Sequence, residues 1–199
     1  MANLKHKISI SIASELKKEG DAIFIKKISR LFKNGVSFYG VKMRKVREIV
    51  KHFYRNTSTL KNRETCINVV NELIKTGIFE NQIAGIILLK NLVRKNEFKD
   101  ILYLKKLFKY IKNWAVCDTI STEALAEIIR KNPLKISNLL KWNKSKNIWV
   151  RRALLVTVIK LKNDLKEWDI IVEELLPRFK NEKEDIVKKA ISWLKKEDG

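Results

Sequence analysis

The chain has 199 residues, of which 45% are hydrophobic, and this is enough to bury a continuous core in one domain or in a short helical array. Its 43 Lys and Arg residues outnumber its 22 Asp and Glu residues, and the formal net charge of +21 exceeds what solubility requires. A polyanion, above all nucleic acid, is therefore the predicted partner. Residues 1–112 carry 25 basic and 9 acidic residues, whereas residues 113–199 carry 18 and 13, which predicts the stronger electrostatic contact in the first part.

The cysteine content and the first residues of the chain bear on the cellular compartment. Cys66 and Cys117 are the two cysteines, and they show neither CxxC spacing nor a neighbouring His cluster. A disulfide framework and a zinc site are therefore not indicated, and a reducing, cytoplasmic and nucleoid-associated location is predicted. Residues 1–20 follow an amphipathic helix pattern interrupted by Lys and Glu. We expect neither secretion nor membrane insertion.

The secondary structure predicted from apolar spacing is entirely helical. Only six Gly and two Pro occur, and apolar residues recur at spacings of three and four almost throughout, which predicts an all-α chain. In chain order the predicted helices cover residues 3–19, 21–33, 41–55, 62–76, 79–95, 98–112, 114–131, 134–142, 147–162, 166–179 and 183–196.

The breaks between these helices contain turn residues, namely Gly20, Gly35, Gly40, Gly77, Pro133 and Pro177. Helices this short and this closely joined pack as antiparallel pairs, and pairs that recur at roughly 35–40 residues are typical of HEAT-like solenoids. We therefore predict one domain, residues 1–199, built as an α-solenoid of HEAT-like pairs with a concave basic face. An irregular helical bundle is the alternative.

Asp118 is the one acidic residue between Asp100 and Glu123, although several lysines precede it. Trp114 lies four residues earlier and so on the same side of a helix. An ionised carboxylate beside an aromatic ring can stabilise a developing cation. Two alternatives remain open: Asp118 could cap a helix that begins at Thr119, and Trp114 could belong to the core stripe of Cys117, Ile120, Ala124 and Ile128.

Two later helices carry further candidates. Trp149 and Arg152 are three residues apart and fall outside the predicted apolar stripe of their helix, so a ring and a guanidinium are expected together on a face that the core does not need. Trp193 lies at the edge of its stripe and can pack while presenting one face. The alternatives are a Trp that covers the rim of the core beside a solvated Arg, and a partly buried aromatic ring.

Several catalytic patterns are absent from the sequence. It contains no Gly-rich phosphate loop, no HExxH, no zinc-deaminase pattern and no Ser nucleophile elbow. His6 and His52 are the two histidines, and both lie far along the chain from Trp114 and Asp118. Histidine-dependent hydrolysis is therefore not predicted.

Taken together, these motifs resemble the bacterial AlkD-type DNA alkylation repair family of HEAT-like glycosylases. The resemblance is carried by Trp114-x-x-x-Asp118, Asn147-Ile148-Trp149-Val150-Arg151-Arg152, Lys189-Ala190-Ile191-Ser192-Trp193, and Phe38-Tyr39-Gly40-Val41 with Arg47. It extends over nearly the whole chain. Two positions depart from the family pattern: Leu31 stands where a DNA-facing Tyr is expected, and the proline after the Phe–Gly turn is replaced near Met43-Arg44.

The resemblance implies excision of cationic N3- or N7-alkylated purines from double-stranded DNA by a monomer. It implies that Asp118 is the catalytic carboxylate, that Trp114 and Trp193 flank the lesion, and that Arg152 grips a nearby phosphate. Arg47 and Lys196 would be further DNA contacts, and Trp149 would mainly give support. No metal, nucleotide or flavin cofactor and no membrane is expected.

Two other functions remain open from the sequence. A non-catalytic HEAT-like module could bind damaged or branched DNA without excising a base. A protein-binding HEAT scaffold is disfavoured by the net charge of +21.

Overall fold

A computed structural model describes residues 2–32 and 35–198, and these residues confirm the all-α prediction. No β-sheet occurs among them, and an isolated bridge joins Ser37 to Ile78. The helices are α1 (Ala2–Lys18), α2 (Ala22–Ser29), α3 (Met43–Asn56), α4 (Arg63–Lys75), α5 (Phe79–Arg94), α6 (Ile101–Leu107), α7 (Trp114–Ile120), α8 (Ala126–Lys131), α9 (Ile136–Leu140), α10 (Ile148–Lys160), α11 (Trp168–Leu175) and α12 (Asp185–Asp198).

These helices begin and end close to the predicted bounds, and the differences concern the regularity of the predicted segments. The 98–112 segment is α6 followed by a 3₁₀ turn at Phe108–Tyr110, and the 134–142 segment is α9 between two 3₁₀ turns. The 114–131 segment is continuous, but a π-helical turn at Ser121–Leu125 separates α7 from α8. Helix α2 ends at Ser29, earlier than the predicted end at residue 33, which itself lies outside the described residues.

Short polar side chains begin several of the helices. Asp21, Asn62, Asp100 and Asn147 each accept hydrogen bonds from backbone N–H groups in the first turn of the helix that follows. These bonds satisfy donors that have no partner inside the helix. These four caps therefore fix where α2, α4, α6 and α10 begin.

The chain folds into two compact units, one formed by residues 1–98 and 110–116 and the other by residues 99–109 and 117–199. In the first unit α4 packs against α5 and α1, and α3 packs against α5. In the second unit α10 packs against α12 and against the π-helical turn. Short helices that pack on their neighbours along the chain are consistent with a helical repeat. None of the helices in the described part of the chain is long and apolar enough to cross a membrane.

The segment before α3 is fixed by a buried carboxylate at the start of α5. Glu80, which is fully buried, accepts backbone hydrogen bonds from Tyr39 (2.9 Å), Gly40 (2.8 Å) and Val41 (3.0 Å). Gly40 has a φ of +84°, and a Cβ atom there would lie 2.3 Å from the carbonyl oxygen of Asp21. The close approach of two backbone segments therefore requires glycine at this position.

We expect Gly40→Ala to lower the free energy of unfolding by about 3 kcal/mol, because the new Cβ adds a clash to the strain of a positive φ. Gly77→Ala is the matched control: Gly77 has a φ of +70°, but a Cβ atom there would have no neighbouring atom within 4 Å. Strain alone predicts a loss of about 1 kcal/mol there. Denaturant unfolding of both variants tests this, and equal losses would contradict the role of the close approach.

Candidate active site

Asp118 lies inside α7 and is held by a buried arginine of α10. The Nε and Nη2 atoms of Arg152 donate to Oδ1 and Oδ2 of Asp118 at 2.9 Å and 2.6 Å. The side chain of Arg152 is 8% exposed and that of Asp118 is 20% exposed. This paired, fork-like geometry fixes the carboxylate in both position and orientation.

The structure decides one alternative that the sequence left open. The capping residue of α7 is Asn113, whose Oδ1 accepts from the N–H of Val116 at 2.9 Å. Asp118 is four residues further into the helix, and its carboxylate accepts from Arg152. Asp118 therefore does not cap a helix at Thr119.

One expectation from apolar spacing is wrong: Arg152 does not lie on an exposed face. Helix α10 is buried on nearly all sides: every residue from Arg152 to Ile159 is less than 9% exposed. The stripe rule assumes one solvated face, and that assumption fails for a helix enclosed by its neighbours. A guanidinium in this position requires acceptors within the protein.

Arg152 also reaches the first turn of α12. Its Nη1 atom donates to the carbonyl oxygen of Ile186 at 2.7 Å. The neighbouring Arg151 forms a paired contact with Glu182, at 2.7 Å and 2.9 Å, just before α12 begins. Two adjacent arginines of α10 therefore fix the start of α12, the helix that carries Trp193. The sequence had not identified the contact made by Arg151.

Burial raises the pKa of the Asp118 carboxyl above its ordinary value, and the hydrogen bonds and charge of Arg152 offset part of that increase. Both oxygens accept N–H groups from a cation, which favours the ionised form. A carboxylate has about four lone-pair positions, and Arg152 occupies two of them. The partly exposed side chain can therefore still accept a contact from a ligand.

Cys117 connects Asp118's helix to Trp149. Its Sγ atom donates to the carbonyl oxygen of Trp149 at 3.3 Å, and burial raises the pKa of this thiol well above its ordinary value. Trp149 is half-buried. In the π-helical turn that follows, Ser121 and Thr122 donate their hydroxyls to the carbonyl oxygens of Cys117 (2.7 Å) and Asp118 (2.8 Å).

Trp114, the first residue of α7, belongs to the first unit and is 38% exposed. Its indole stacks on Phe32, with ring centroids 5.5 Å apart and an interplanar angle of 14°. Its Nε1 atom donates to the carbonyl oxygen of Leu31 at 3.4 Å. Trp114 is therefore not a core residue, and no sequence pattern had singled out Phe32.

The remaining predicted residues are exposed. Trp193 of α12 is 41% exposed, and its Nε1 atom donates to Glu197 at 3.3 Å. Arg47 lies on α3 and Lys196 on α12, both at the surface of their units. Within the part of the chain that the structure describes, no group of three or more His, Cys, Asp or Glu side chains could hold a metal ion.

A helical fold, a strongly positive charge and a carboxylate fixed by arginine define a basic all-α protein suited to nucleic acid. The model of the family described as DNA alkylation repair enzyme matches residues 12–197, and the chain belongs to this family. The family confirms the resemblance found in the sequence and indicates a role in DNA alkylation repair, with DNA as the partner. A search of curated proteins gave no match.

The Asp118–Arg152 pair predicts a specific pattern of stabilities. Asp118→Asn should lower the free energy of unfolding by about 3 kcal/mol, because it leaves the buried guanidinium without a counter-charge. Asp118→Asn combined with Arg152→Met should be more stable than Asp118→Asn alone, since the unpaired charge is then removed. Denaturant unfolding of the wild type, both single variants and the double variant measures this coupling, and effects that add within about 0.5 kcal/mol would show that the pair is uncoupled.

Proposed function

We propose that this protein is a monofunctional DNA glycosylase that hydrolyses the N-glycosidic bond of cationic N3- or N7-alkylated purines in duplex DNA. Its catalytic residue is Asp118. The observation that carries the proposal is a carboxylate fixed by Arg152 yet 20% exposed, in a chain that belongs to a DNA alkylation repair family.

The chemistry follows from the charge of the lesion. A purine alkylated at N3 or N7 is positively charged and is a good leaving group. As the glycosidic bond breaks, the electron pair leaves with the base and positive charge develops on the deoxyribose. An ionised carboxylate stabilises that sugar cation and orients the water that attacks it. The water gives its oxygen to the sugar carbon and its proton to solvent.

Arg152 contributes by holding Asp118 before the substrate arrives. A fixed carboxylate does not have to reorganise when charge develops. The resemblance implies that Arg152 also grips a phosphate, but its side chain is 8% exposed and three of its five donors are used by Asp118 and Ile186. We therefore propose the positioning of Asp118 as the main role of Arg152.

The exposed tryptophans supply the second part of the proposal. An indole face attracts a nearby cation by about 0.5–2 kcal/mol, and more when water is excluded. Trp114 and Trp193, 38% and 41% exposed, are the proposed lesion contacts. The exposed cations Arg47 and Lys196 are proposed to contact the DNA backbone, since Lys and Arg bind phosphate without reading sequence.

The direct test is incubation of methylated duplex DNA with the protein and chromatography of the released bases. We expect the wild type to release 7-methylguanine or 3-methyladenine. Asp118→Asn should reduce release at least 100-fold and change DNA affinity less than about twofold, because the carboxylate acts on the transition state.

Asp164→Asn is the matched control for this experiment. Asp164 forms the same kind of paired contact, with Arg130 at 2.9 Å and 2.8 Å, but no predicted site residue takes part in it. Circular dichroism at the assay temperature should show that both variants are folded. Base release by Asp118→Asn at the wild-type rate would remove the catalytic assignment.

The binding-module alternative is favoured by Leu31, which is 66% exposed where the family pattern has a DNA-facing Tyr. It predicts that the protein binds intact, damaged or branched duplexes selectively and releases no base. A gel comparing these duplexes, run beside the chromatography, separates the two functions.

The raised pKa of Asp118 predicts the pH dependence of base release. The reaction needs the ionised carboxylate, so the rate should fall as pH decreases through the pKa of Asp118, which lies above the ordinary Asp value of about 3.9. In Arg152→Met the influence of the guanidinium that lowers this pKa is lost, and the fall in rate should move to higher pH. Single-turnover rates between pH 4 and 8 measure both profiles, with enzyme-free DNA as the control. A profile for Arg152→Met at the same or lower pH would contradict this account.

A further inference from the structure

The orientation of Trp114 is restrained from two directions. Its indole N–H donates to the carbonyl oxygen of Leu31 at 3.4 Å, and one face of the ring stacks on Phe32. The centroids of these rings are 5.5 Å apart and their planes differ by 14°. A stacked face cannot also bind a ligand, so the contact leaves the opposite face of the indole for one.

Phe32 is itself held by two other aromatic rings. Phe38 lies 5.1 Å from it with an interplanar angle of 54°, and Phe79 lies 5.8 Å from it at 60°. Phe38 and Phe79 also contact each other at 5.2 Å. Tilted and edge-to-face contacts of this kind fix the plane of a ring. Phe79 begins α5, so the cluster connects Trp114 to a regular element of the first unit.

We propose that Phe32 is a positioning residue for Trp114. By covering one face of the indole it presents the other face, in a fixed plane, to a flat cationic nucleobase. This inference rests on the proposed function, in which Trp114 contacts the lesion. It adds the residue that determines which face of Trp114 is used.

The reason that such a residue matters is geometric. A free Trp side chain rotates about two bonds, and ordering it when the substrate binds costs conformational entropy. A ring that is already ordered avoids that cost and meets the departing base in the productive orientation. Removing the Phe32 ring should therefore slow base release more than it weakens binding to undamaged DNA, because undamaged bases carry no positive charge to attract the indole.

The test uses three variants of the full chain. Phe32→Leu removes the stacked ring, Phe32→Tyr keeps it, and Phe79→Leu makes the same chemical change one ring further from the indole. We expect Phe32→Leu to lower the single-turnover rate of 7-methylguanine release about tenfold, with affinity for undamaged duplex changed less than twofold. Phe32→Tyr and Phe79→Leu should stay within about threefold of the wild-type rate. Equal slowing by Phe32→Leu and Phe79→Leu would overturn the proposal, since it would show a general effect of the cluster on folding.

A double variant tests whether Phe32 acts through Trp114. In the Trp114→Ala background Phe32→Leu should cause no further loss of rate. A further tenfold loss there would overturn the proposal.

Fluorine NMR of protein labelled with 5-fluorotryptophan reads the position of the indole directly. The chain has five Trp residues, and the Trp114 signal is assigned by its disappearance in Trp114→Phe. Phe32→Leu should shift or broaden that signal and leave the others unchanged, whereas an unchanged Trp114 signal would overturn the proposal. This measurement needs no base release, so failure of the glycosylase assay in the wild type would count against the proposed function and not against the positioning of Trp114.

Discussion

The buried ion pair between Asp118 and Arg152 is the constraint on which the second unit depends. Their side chains are 20% and 8% exposed, so removal of either charge would leave the other with poor solvation. The two charges therefore stabilise each other. Arg152 makes its third hydrogen bond to the carbonyl oxygen of Ile186. The fold must therefore bring α7, α10 and the first turn of α12 together. The same contacts fix a partly exposed carboxylate in one orientation, so the requirement for a stable fold also prepares a candidate catalytic group.

Much of the fold was predictable because it depends on local signals. The breaks between helices followed from turn residues such as Gly20, Gly40 and Gly77, and helix positions followed from the recurrence of apolar residues. The π-helical turn at Ser121–Leu125 was not predictable, since it depends on packing against α10 and on hydroxyls that donate to carbonyl oxygens one turn earlier. Periodicity also failed on α10, which is buried on nearly all sides and has no single apolar stripe.

The candidate site was predictable in its residue types and not in its contacts. Local sequence could not decide between a capping and a catalytic role for Asp118; what decided against the cap is that Asn113 already accepts the first-turn N–H. The partner of Asp118 lies 34 residues away in the sequence, and only the packing of two helices brings the groups together. Phe32 is separated from Trp114 in the same way, and no spacing rule links a ring near the end of α2 to the start of α7.

Three arginines of the second unit are used in contacts within the protein. Arg130, Arg151 and Arg152 each form a paired contact with a carboxylate inside the second unit. The planar, weakly hydrated guanidinium suits such contacts, whereas the compact and strongly hydrated ammonium of Lys suits the surface. Because each of these pairs is neutral, the net charge of +21 comes from the other basic residues, and such residues at a protein surface can replace the counterions condensed on DNA phosphates. In the proposed reaction, base release depends on Asp118, which is held by Arg152, whereas exposed cations such as Arg47 and Lys196 contribute to DNA affinity.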